Sequence, residues 1–125
     1  MHELSKHFRF EAAHTLNRVI EAEPSRRIHG HSYRAEITLR GEPDPQTGML
    51  LDLGHFTRLI ERVRDGLDHR FLDEIPDLGP ATLENLSAWI WRHLAGECPP
   101  LARVTVYRDS AGDTCSYFGP TNQAA

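Results

Sequence analysis

The sequence predicts an α+β fold in which two helices lie on one face of a four-stranded antiparallel sheet. Two features of the 125 residues support this prediction. Four segments alternate apolar and polar residues, as strands with one buried face do, and two segments repeat apolar residues at helical spacing. Their order along the chain is strand, strand, helix, helix, strand, strand. That order is typical of helices that pack on one face of an antiparallel sheet.

The first two strands are predicted at residues 3–13 and 32–40. The apolar side of the first consists of Phe8, Phe10 and Ala12. The apolar side of the second consists of Tyr33, Ala35, Ile37 and Leu39. Residues 15–28 lie between the two strands and are rich in turn-forming residues, so they are predicted to form a loop.

The two helices are predicted in the middle of the chain. The first covers residues 53–67, and its apolar positions are Leu53, Phe56, Leu59, Ile60, Val63 and Leu67. The second begins at Thr82, a residue type that suits a helix N-cap. Its apolar positions are Leu83, Leu86, Trp89, Ile90 and Leu94. Two prolines at 99–100 end this region.

The last two strands are predicted at residues 101–108 and 114–118. Residues 110–113 between them include Gly112 and Asp113, which favour a hairpin turn. These two strands complete the predicted four-stranded sheet.

Composition and charge exclude several classes of protein. The chain carries 14 basic and 18 acidic side chains, which argues against a nucleic-acid surface, because such surfaces rely on clustered Lys and Arg. No segment reaches the apolar length needed to cross a membrane. The N-terminus lacks the basic and apolar stretches of a secretion signal, so we expect a cytoplasmic protein. Without a repeat or a linker, residues 1–125 are expected to form a single domain.

Three histidines stand at positions that indicate a metal site. His29 and His31 are two residues apart, so on an extended chain both point to the same side as Tyr33. His14 lies at the end of the first strand, in phase with its apolar side. If the two strands pair as antiparallel neighbours, with the 15–28 loop between them, all three imidazoles converge. Three histidines with an open fourth position are typical of catalytic zinc, and no carboxylate-rich cage favours another ion.

The same residues have a simpler interpretation. A His-x-His pair is a short motif with a high risk of false positives, and a buried imidazole often serves packing alone. Spacing and phase therefore predict the metal site without establishing it.

Motifs along nearly the whole chain resemble those of the 6-pyruvoyl/6-carboxy-tetrahydropterin synthases. In order they are FEAAH at 10–14, HGHS at 29–32, TGMLLDL at 47–53, LDH at 67–69, TLENL at 82–86 and WIW at 89–91. Their joint occurrence in this order is highly specific. The sequence looks most similar to the bacterial 6-carboxy-tetrahydropterin synthases of the queuosine pathway.

This resemblance implies the tunnelling fold of that family. Each subunit then contributes a four-stranded sheet and two helices, three subunits close their sheets into a barrel, and two such trimers stack into a hexamer. Active sites in the family lie between subunits. The expected partners are therefore further copies of the chain and a small-molecule substrate, and neither nucleic acid nor membrane.

The resemblance also implies roles for individual residues. His14, His29 and His31 match the family's zinc ligands, and the Zn²⁺ cofactor polarises oxygens of the substrate side chain. Asp68 and His69 match the family's catalytic pair, in which the imidazole moves protons and the carboxylate orients it.

Two positions depart from the family pattern. The family's catalytic cysteine lies four residues before the His-Gly-His motif, where this chain has Ser25. A thiol has a pKa of about 8.5 and a hydroxyl ionises far less readily, so proton abstraction should be slower by orders of magnitude. Counting back from Cys115, Asp109 matches the family's pterin-anchoring glutamate. The aspartate side chain is shorter by one methylene.

Three functions remain open from the sequence. The first is the family reaction, in which dihydroneopterin triphosphate gives 6-carboxy- or 6-pyruvoyl-tetrahydropterin and triphosphate, with Ser25 as a weak proton shuttle or His69 carrying both transfers. The second is a diverged enzyme that uses the same zinc and Asp-His pair on another carbonyl or sugar phosphate, for example in Pictet–Spengler-type carbon–carbon bond formation. The third is a non-catalytic oligomer that binds zinc or a pterin, and the retained Asp68 and His69 argue against it.

Overall fold

The computed structural model describes residues 1–121 of the chain. These residues contain five β-strands and three α-helices. The strands are β1 (His2–His14), β2 (His29–Gly41), β3 (Arg70–Phe71), β4 (Leu101–Arg108) and β5 (Asp113–Tyr117). The helices are α1 (Ala22–Arg26), α2 (Leu53–Asp65) and α3 (Leu83–Leu94). No helix within these residues combines the length and apolar character that crossing a bilayer requires.

The strands form one sheet in the order β3-β1-β2-β4-β5. β1 and β2 pair antiparallel along their whole length, from His2 opposite Gly41 to His14 opposite His29. The β2–β4 and β4–β5 pairs are also antiparallel. Only β3, which lies beside residues 12–13 of β1, runs parallel to its neighbour.

The α+β class and all six predicted elements are present, but the prediction of four antiparallel strands and two helices is wrong in two details. β3 runs parallel to β1, which makes the sheet mixed. A strand of two residues is too short to show an alternating pattern in the sequence. α1 lies inside the segment predicted as a loop. Pro24 falls in the first turn of α1, where a missing backbone N–H breaks no helical hydrogen bond. Closure of several sheets into a barrel stays a prediction.

The core lies between one face of the sheet and the two long helices. The strands contribute alternate buried residues, which include Phe8, Phe10, Ile37, Leu39, Val104 and Val106. The helices contribute Phe56, Leu59, Ile60 and Val63 from α2 and Leu86, Trp89, Ile90 and Leu94 from α3. Removal of this apolar surface from water is the main term that stabilises the fold.

Side-chain caps fix where the two long helices begin. The Asp52 carboxylate accepts the backbone N–H of His55 at 3.0 Å at the start of α2. The Thr82 hydroxyl accepts the N–H of Asn85 at 3.1 Å at the start of α3, which confirms the predicted cap. The α3 cap also fixes the backbone just before it, which borders the site described below.

The opposite face of the sheet is polar. Ser5 and Thr38 are joined by a hydrogen bond of 2.8 Å between neighbouring strands, and so are Thr105 and Ser116. The position of a residue in the alternation therefore decides whether its side chain reaches the apolar or the polar face.

The core assignment can be tested at Ile90, which is fully buried. We expect Ile90→Ala to lower the free energy of unfolding by about 2–5 kcal/mol, because the shorter side chain leaves a cavity. The measurement is urea unfolding followed by circular dichroism at a fixed protein concentration. The control is Val19→Ala at a position that is 98% exposed, with an expected change below about 0.5 kcal/mol. Equal effects of the two changes would contradict the assignment.

Candidate metal centre

The register of β1 and β2 brings three histidines together at one end of the sheet. His14 pairs directly with His29, and His31 pairs with Ala12. Directly opposed residues of an antiparallel pair share a face, and a step of two residues returns to that face. The three imidazoles therefore lie on the same side. Each offers a ring nitrogen, and these nitrogens lie within 4.8 Å of one another.

The three rings stand steeply to one another around a common centre. Their centroids are 4.5 Å apart for His14 and His29, 4.8 Å for His14 and His31, and 4.9 Å for His29 and His31. The corresponding interplanar angles are 70°, 85° and 89°. Near-equal spacing about one point is what three ligands of a single ion require.

Hydrogen bonds to backbone carbonyls fix the tautomers of two of the rings. Nδ1 of His14 lies 2.8 Å from the carbonyl oxygen of Ala81, and Nδ1 of His29 lies 2.7 Å from that of Arg27. A carbonyl only accepts, so each Nδ1 carries a proton and donates it. In the neutral rings both Nε2 atoms are then unprotonated, and they face each other at 2.9 Å. Two lone pairs at this distance repel, whereas a shared metal ion would coordinate both, so the residues fit a metal.

Burial favours the neutral form, which metal binding needs, in two of the three imidazoles, those of His14 and His31. It lowers the pKa of His14, whose side chain is almost completely buried. Burial also lowers the pKa of His31 to about 4, and the positive charge of Arg108 acts in the same direction. Because a protonated imidazole cannot coordinate a metal, both rings are ready to bind one at neutral pH.

Neighbouring contacts hold His14 in place. Thr15 donates its backbone N–H to the Asp73 carboxylate at 2.9 Å, and its hydroxyl bonds the same carboxylate. Ala81, the hydrogen-bond partner of the His14 ring, directly precedes Thr82 and the start of α3. The ring is thus oriented by two parts of the chain that are distant in sequence, as is usual for metal-binding histidines.

A cavity of about 760 Å³ lies beside the cluster and is lined by His29 and His31. Its walls also include Ser25, Tyr33 and Arg108. The Tyr33 hydroxyl is buried and has no hydrogen-bond partner among residues 1–121. Burial raises the pKa of Tyr33 to about 12, so this hydroxyl stays protonated. The cluster is therefore accessible to a small molecule on the side of this cavity.

Asp68 and His69 are in contact with each other. One Asp68 oxygen accepts the backbone N–H of Glu11 at 2.9 Å, and the other lies 3.0 Å from Nδ1 of His69 and 3.1 Å from Arg64. The Glu11 N–H, followed by the bond to His69, lowers the pKa of Asp68. The carboxylate is therefore ionised and orients the imidazole.

The structure does not bring His69 into the cavity beside the three histidines. Its side chain is 78% exposed and lines a second, shallower cavity, which shares only His31 with the first. Its backbone lies in the left-handed region at φ 58°, where its N–H donates to the Glu11 carbonyl at 2.6 Å. The imidazole is thus held by its backbone and presented outward.

Ser25 lines the cavity beside the histidine cluster, but its hydroxyl forms hydrogen bonds with the backbone. Oγ lies 2.9 Å from the carbonyl oxygen of Leu16 and 2.8 Å from that of Ala22, and it accepts the N–H of Arg18 at 3.1 Å. A hydroxyl has a single proton, and here that proton is donated to a carbonyl. Ser25 therefore joins α1 to the preceding segment.

Asp109 does not line the cavity. Its carboxylate accepts from the Arg34 guanidinium at 3.1 and 3.3 Å on the polar face of the sheet. That ion pair lowers the pKa of Asp109 and keeps the carboxylate charged. Asp109 directly follows β4, and within one chain its carboxylate contacts Arg34 and not the cluster, so the pterin-anchoring role that the resemblance implies stays a prediction.

Arg108 is the cavity residue that the sequence reasoning missed. It follows Val104 and Val106 on the inner side of β4, and that alternation is the signal by which it could have been found. Its side chain is 21% exposed, with Nη1 3.5 Å from Nε2 of His31 and Nη2 2.5 Å from the Asp113 carboxylate. A cation, and not a carboxylate, therefore borders the cluster on this strand.

Comparison with known proteins finds relatives along most of the chain. Residues 3–120 match the family described as 6-pyruvoyl tetrahydropterin synthase. The 6-carboxy-5,6,7,8-tetrahydropterin synthase of Synechocystis is 30% identical over 120 residues, which cover 92% of each protein. The 6-pyruvoyl tetrahydrobiopterin synthase of Poecilia reticulata is 41% identical over 75 residues, which cover 57% of this chain. That match spans about half of the Poecilia protein, 51% of its length.

The fold is similar to that of a solved structure, the 6-pyruvoyl tetrahydropterin synthase of Caenorhabditis elegans. The TM-score is 0.80 at 26% sequence identity, over 94% of this chain and 95% of that one.

The metal site can be tested by removing one imidazole. We expect the chain to retain about one divalent metal ion after reloading and gel filtration, and His29→Ala to weaken metal binding by more than about 100-fold. The measurements are metal content by mass spectrometry and competition with a chelator. The control is His55→Ala, an exposed histidine whose Nε2 lies 3.0 Å from the Glu97 carbonyl oxygen. Equal metal content in the two variants would exclude the cluster as the binding site.

Proposed function

The chain belongs to the 6-pyruvoyl tetrahydropterin synthase family, and on that premise we propose that it is a zinc-dependent lyase that acts on dihydroneopterin triphosphate. The expected products are triphosphate and 6-carboxy- or 6-pyruvoyl-tetrahydropterin. The observation that carries this proposal is the group of three imidazoles, two of which direct unprotonated Nε2 atoms at each other beside a cavity.

Zinc is the ion that the donor set favours. Imidazole nitrogen suits Zn²⁺, whereas Mg²⁺ and Ca²⁺ prefer oxygen ligands. Within the described residues the cluster contains three histidines and no carboxylate. Three histidine ligands with one accessible side are typical of catalytic zinc, which supplies Lewis acidity to oxygens of the substrate when it is bound.

Asp68 and His69 are suited to carry the proton transfers. The ionised carboxylate accepts from Nδ1 of His69, which leaves Nε2 free to take a proton from a substrate carbon and to return it. The exposure of the imidazole lets a substrate held on another surface reach it. In this proposal His69 is the proton carrier and Asp68 its positioning residue.

A second copy of the chain completes the site in this proposal. Because His69 lies outside the cavity of its own cluster, the pair has to meet a cavity formed by another chain if both act on one substrate. This requirement agrees with the sites between subunits that the family resemblance implies. We therefore infer a homo-oligomer, expected as a hexamer of two trimers.

A second candidate function is supported by Ser25 and Asp109. The Ser25 hydroxyl is bonded to backbone carbonyls, and the Asp109 carboxylate lies on the other face of the sheet. Within one chain the Ser25 hydroxyl is thus already bonded and the Asp109 carboxylate lies away from the cluster, which supports a reaction that does not use them. A diverged enzyme that uses the same zinc and Asp-His pair on another carbonyl or sugar phosphate would need neither role.

The third candidate, a non-catalytic oligomer that binds zinc or a pterin, has less support. Binding alone requires no imidazole oriented by an ionised carboxylate, yet Asp68 is held by a backbone N–H in contact with His69. Such a pair is typical of proton transfer.

Turnover of dihydroneopterin triphosphate tests the first candidate. We expect zinc-loaded protein to release triphosphate, and trapped acetaldehyde to accompany the 6-carboxy product. His69→Gln should lower kcat by about 100- to 10,000-fold with unchanged zinc content, because the proton carrier is lost. The measurements are ion-exchange chromatography of triphosphate and fluorescence detection of the oxidised pterin.

The control is His93→Gln, which removes a histidine of α3 that contacts Trp89 and lies in neither cavity. It should leave kcat within about twofold, since surface changes away from a site are nearly neutral. Full activity of His69→Gln would contradict the assignment of the proton carrier.

Substitution of Ser25 separates the first two candidates. If the family reaction is retained but slow, Ser25→Cys should raise turnover of dihydroneopterin triphosphate by at least about tenfold, because a thiol ionises more readily than a hydroxyl. Ser25→Ala is the matched control and should not raise it. A Ser25→Cys variant that gains pterin turnover from an inactive parent would instead favour the diverged enzyme.

A further inference from the structure

Arg108 and Tyr33 form a wall of hydrogen-bond donors next to the three histidines. Tyr33 lies one residue before Arg34, which pairs with Tyr107, so Tyr33 and Arg108 are cross-strand neighbours on the inner face. Both line the cavity. The Tyr33 hydroxyl and the Nε of Arg108 are buried, and neither has a hydrogen-bond partner among residues 1–121.

The known partners of Arg108 leave part of its guanidinium unused. Asp113 accepts from Nη2 at 2.5 Å, and Nη1 faces Nε2 of His31 at 3.5 Å. A guanidinium has five N–H donors and no acceptor, so several donors remain for a ligand. A metal ion on the imidazoles takes their lone pairs, and Nη1 then loses the one ring acceptor that it faces.

The positive charges of the metal ion and of Arg108 also favour an anionic ligand at this place. A divalent ion held by the histidines places two positive charges close to the guanidinium, in a region screened from water. Two cations at short range repel, and an anion that contacts both removes the repulsion. The wall next to the cluster is thus best matched by an oxygen group that carries negative charge.

The other charged residues of the cavity do not supply that anion. Arg18 and Glu21 form an ion pair with each other at 3.9 Å. Glu84 lies in the first turn of α3, where the helix dipole favours it. Asp113 engages one nitrogen of the guanidinium, and Nε has no hydrogen-bond partner within residues 1–121.

We propose that Arg108 and Tyr33 bind an anionic oxygen group of the substrate, a carboxylate or a phosphate, at the part of the cavity next to the metal. This inference rests on the metal site of the proposed function and adds the chemical class of the group bound beside it. An aminopyrimidine edge presents N–H donors, which the Arg108 guanidinium cannot accept because it has no acceptor atom. The positively charged guanidinium therefore matches phosphate oxygens of a pterin triphosphate, or a carboxylate of another substrate, better than the N–H edge of a pterin ring.

Calorimetric titration of two simple anions tests the inference. Pyruvate and inorganic phosphate are titrated separately into the zinc-loaded full-length chain, and the tighter ligand identifies the class of anion. We expect Arg108→Gln to weaken binding of the preferred anion by about 10- to 100-fold, because a charge-assisted bond is lost. Arg18→Gln removes the same charge from the same cavity and should change affinity by less than about fivefold.

Two further variants keep the test decisive if Arg108→Gln folds poorly. Arg108→Lys keeps the charge but loses the planar fork, so its anion affinity should lie between those of the wild type and Arg108→Gln. Tyr33→Phe deletes a hydroxyl that bonds no group in the described part of the chain, so stability should not fall, while anion affinity should fall by about 3- to 10-fold. A purely structural role for these residues predicts changes in stability with unchanged affinity.

The outcomes separate this inference from the proposed function. Zinc content is measured in every sample, so loss of the metal site is seen independently. If zinc is bound and neither anion binds, or if affinity is the same with and without Arg108, the inference is overturned while the metal site stands. If the chain holds no zinc, the proposed function fails, and the same titrations are read on the metal-free chain. Binding of phosphate or pyruvate that depends on Arg108 then supports the anion site. Absence of such binding refutes the anion site.

Discussion

The unbroken antiparallel register between β1 and β2 is the constraint on which the rest of the site depends. It sets His14 opposite His29, and a slip of one residue would turn one of the two rings to the other face of the sheet. The same register leaves the Glu11 backbone free to bond Asp68 and His69. One strand pairing therefore positions both the candidate metal ligands and the pair proposed to transfer protons, and it assigns them to different cavities of the same chain.

The elements that could be predicted from the sequence are those long enough to repeat a pattern. β1 and β2 have 13 residues each, and their alternation gives both the strand and its buried face. β3 has two residues and α1 has five, so neither shows a period. Both depend on distant contacts that no local pattern encodes: β3 on hydrogen bonds to β1, and α1 on the bonds of Ser25 to Leu16 and Arg18.

The candidate site was predictable to a similar extent and for a related reason. The three histidines could be identified because residue type and strand phase point to the same face. Asp109 was reached by counting along a motif, and counting ignores the face. Arg108 directly precedes Asp109 at the end of β4, and a motif count does not show that the guanidinium lies beside the cluster while the carboxylate contacts Arg34 on the polar face. Distances and partners, such as the facing Nε2 atoms, needed the folded structure.

The residues that agree with the family pattern and those that depart from it occupy different parts of the site. In the proposed function the histidine cluster would hold the metal and the Asp68–His69 pair would move the proton, and many substrates could share these two operations. Ser25 and Arg108 border the space that the rest of a substrate must fill. Ser25 offers no ionisable group there, because its hydroxyl is bonded to the backbone, and Arg108 supplies positive charge. In the proposed function, the choice of substrate therefore depends less on the metal ligands than on the charge of the wall beside them, because that charge decides which end of a substrate can approach the cluster.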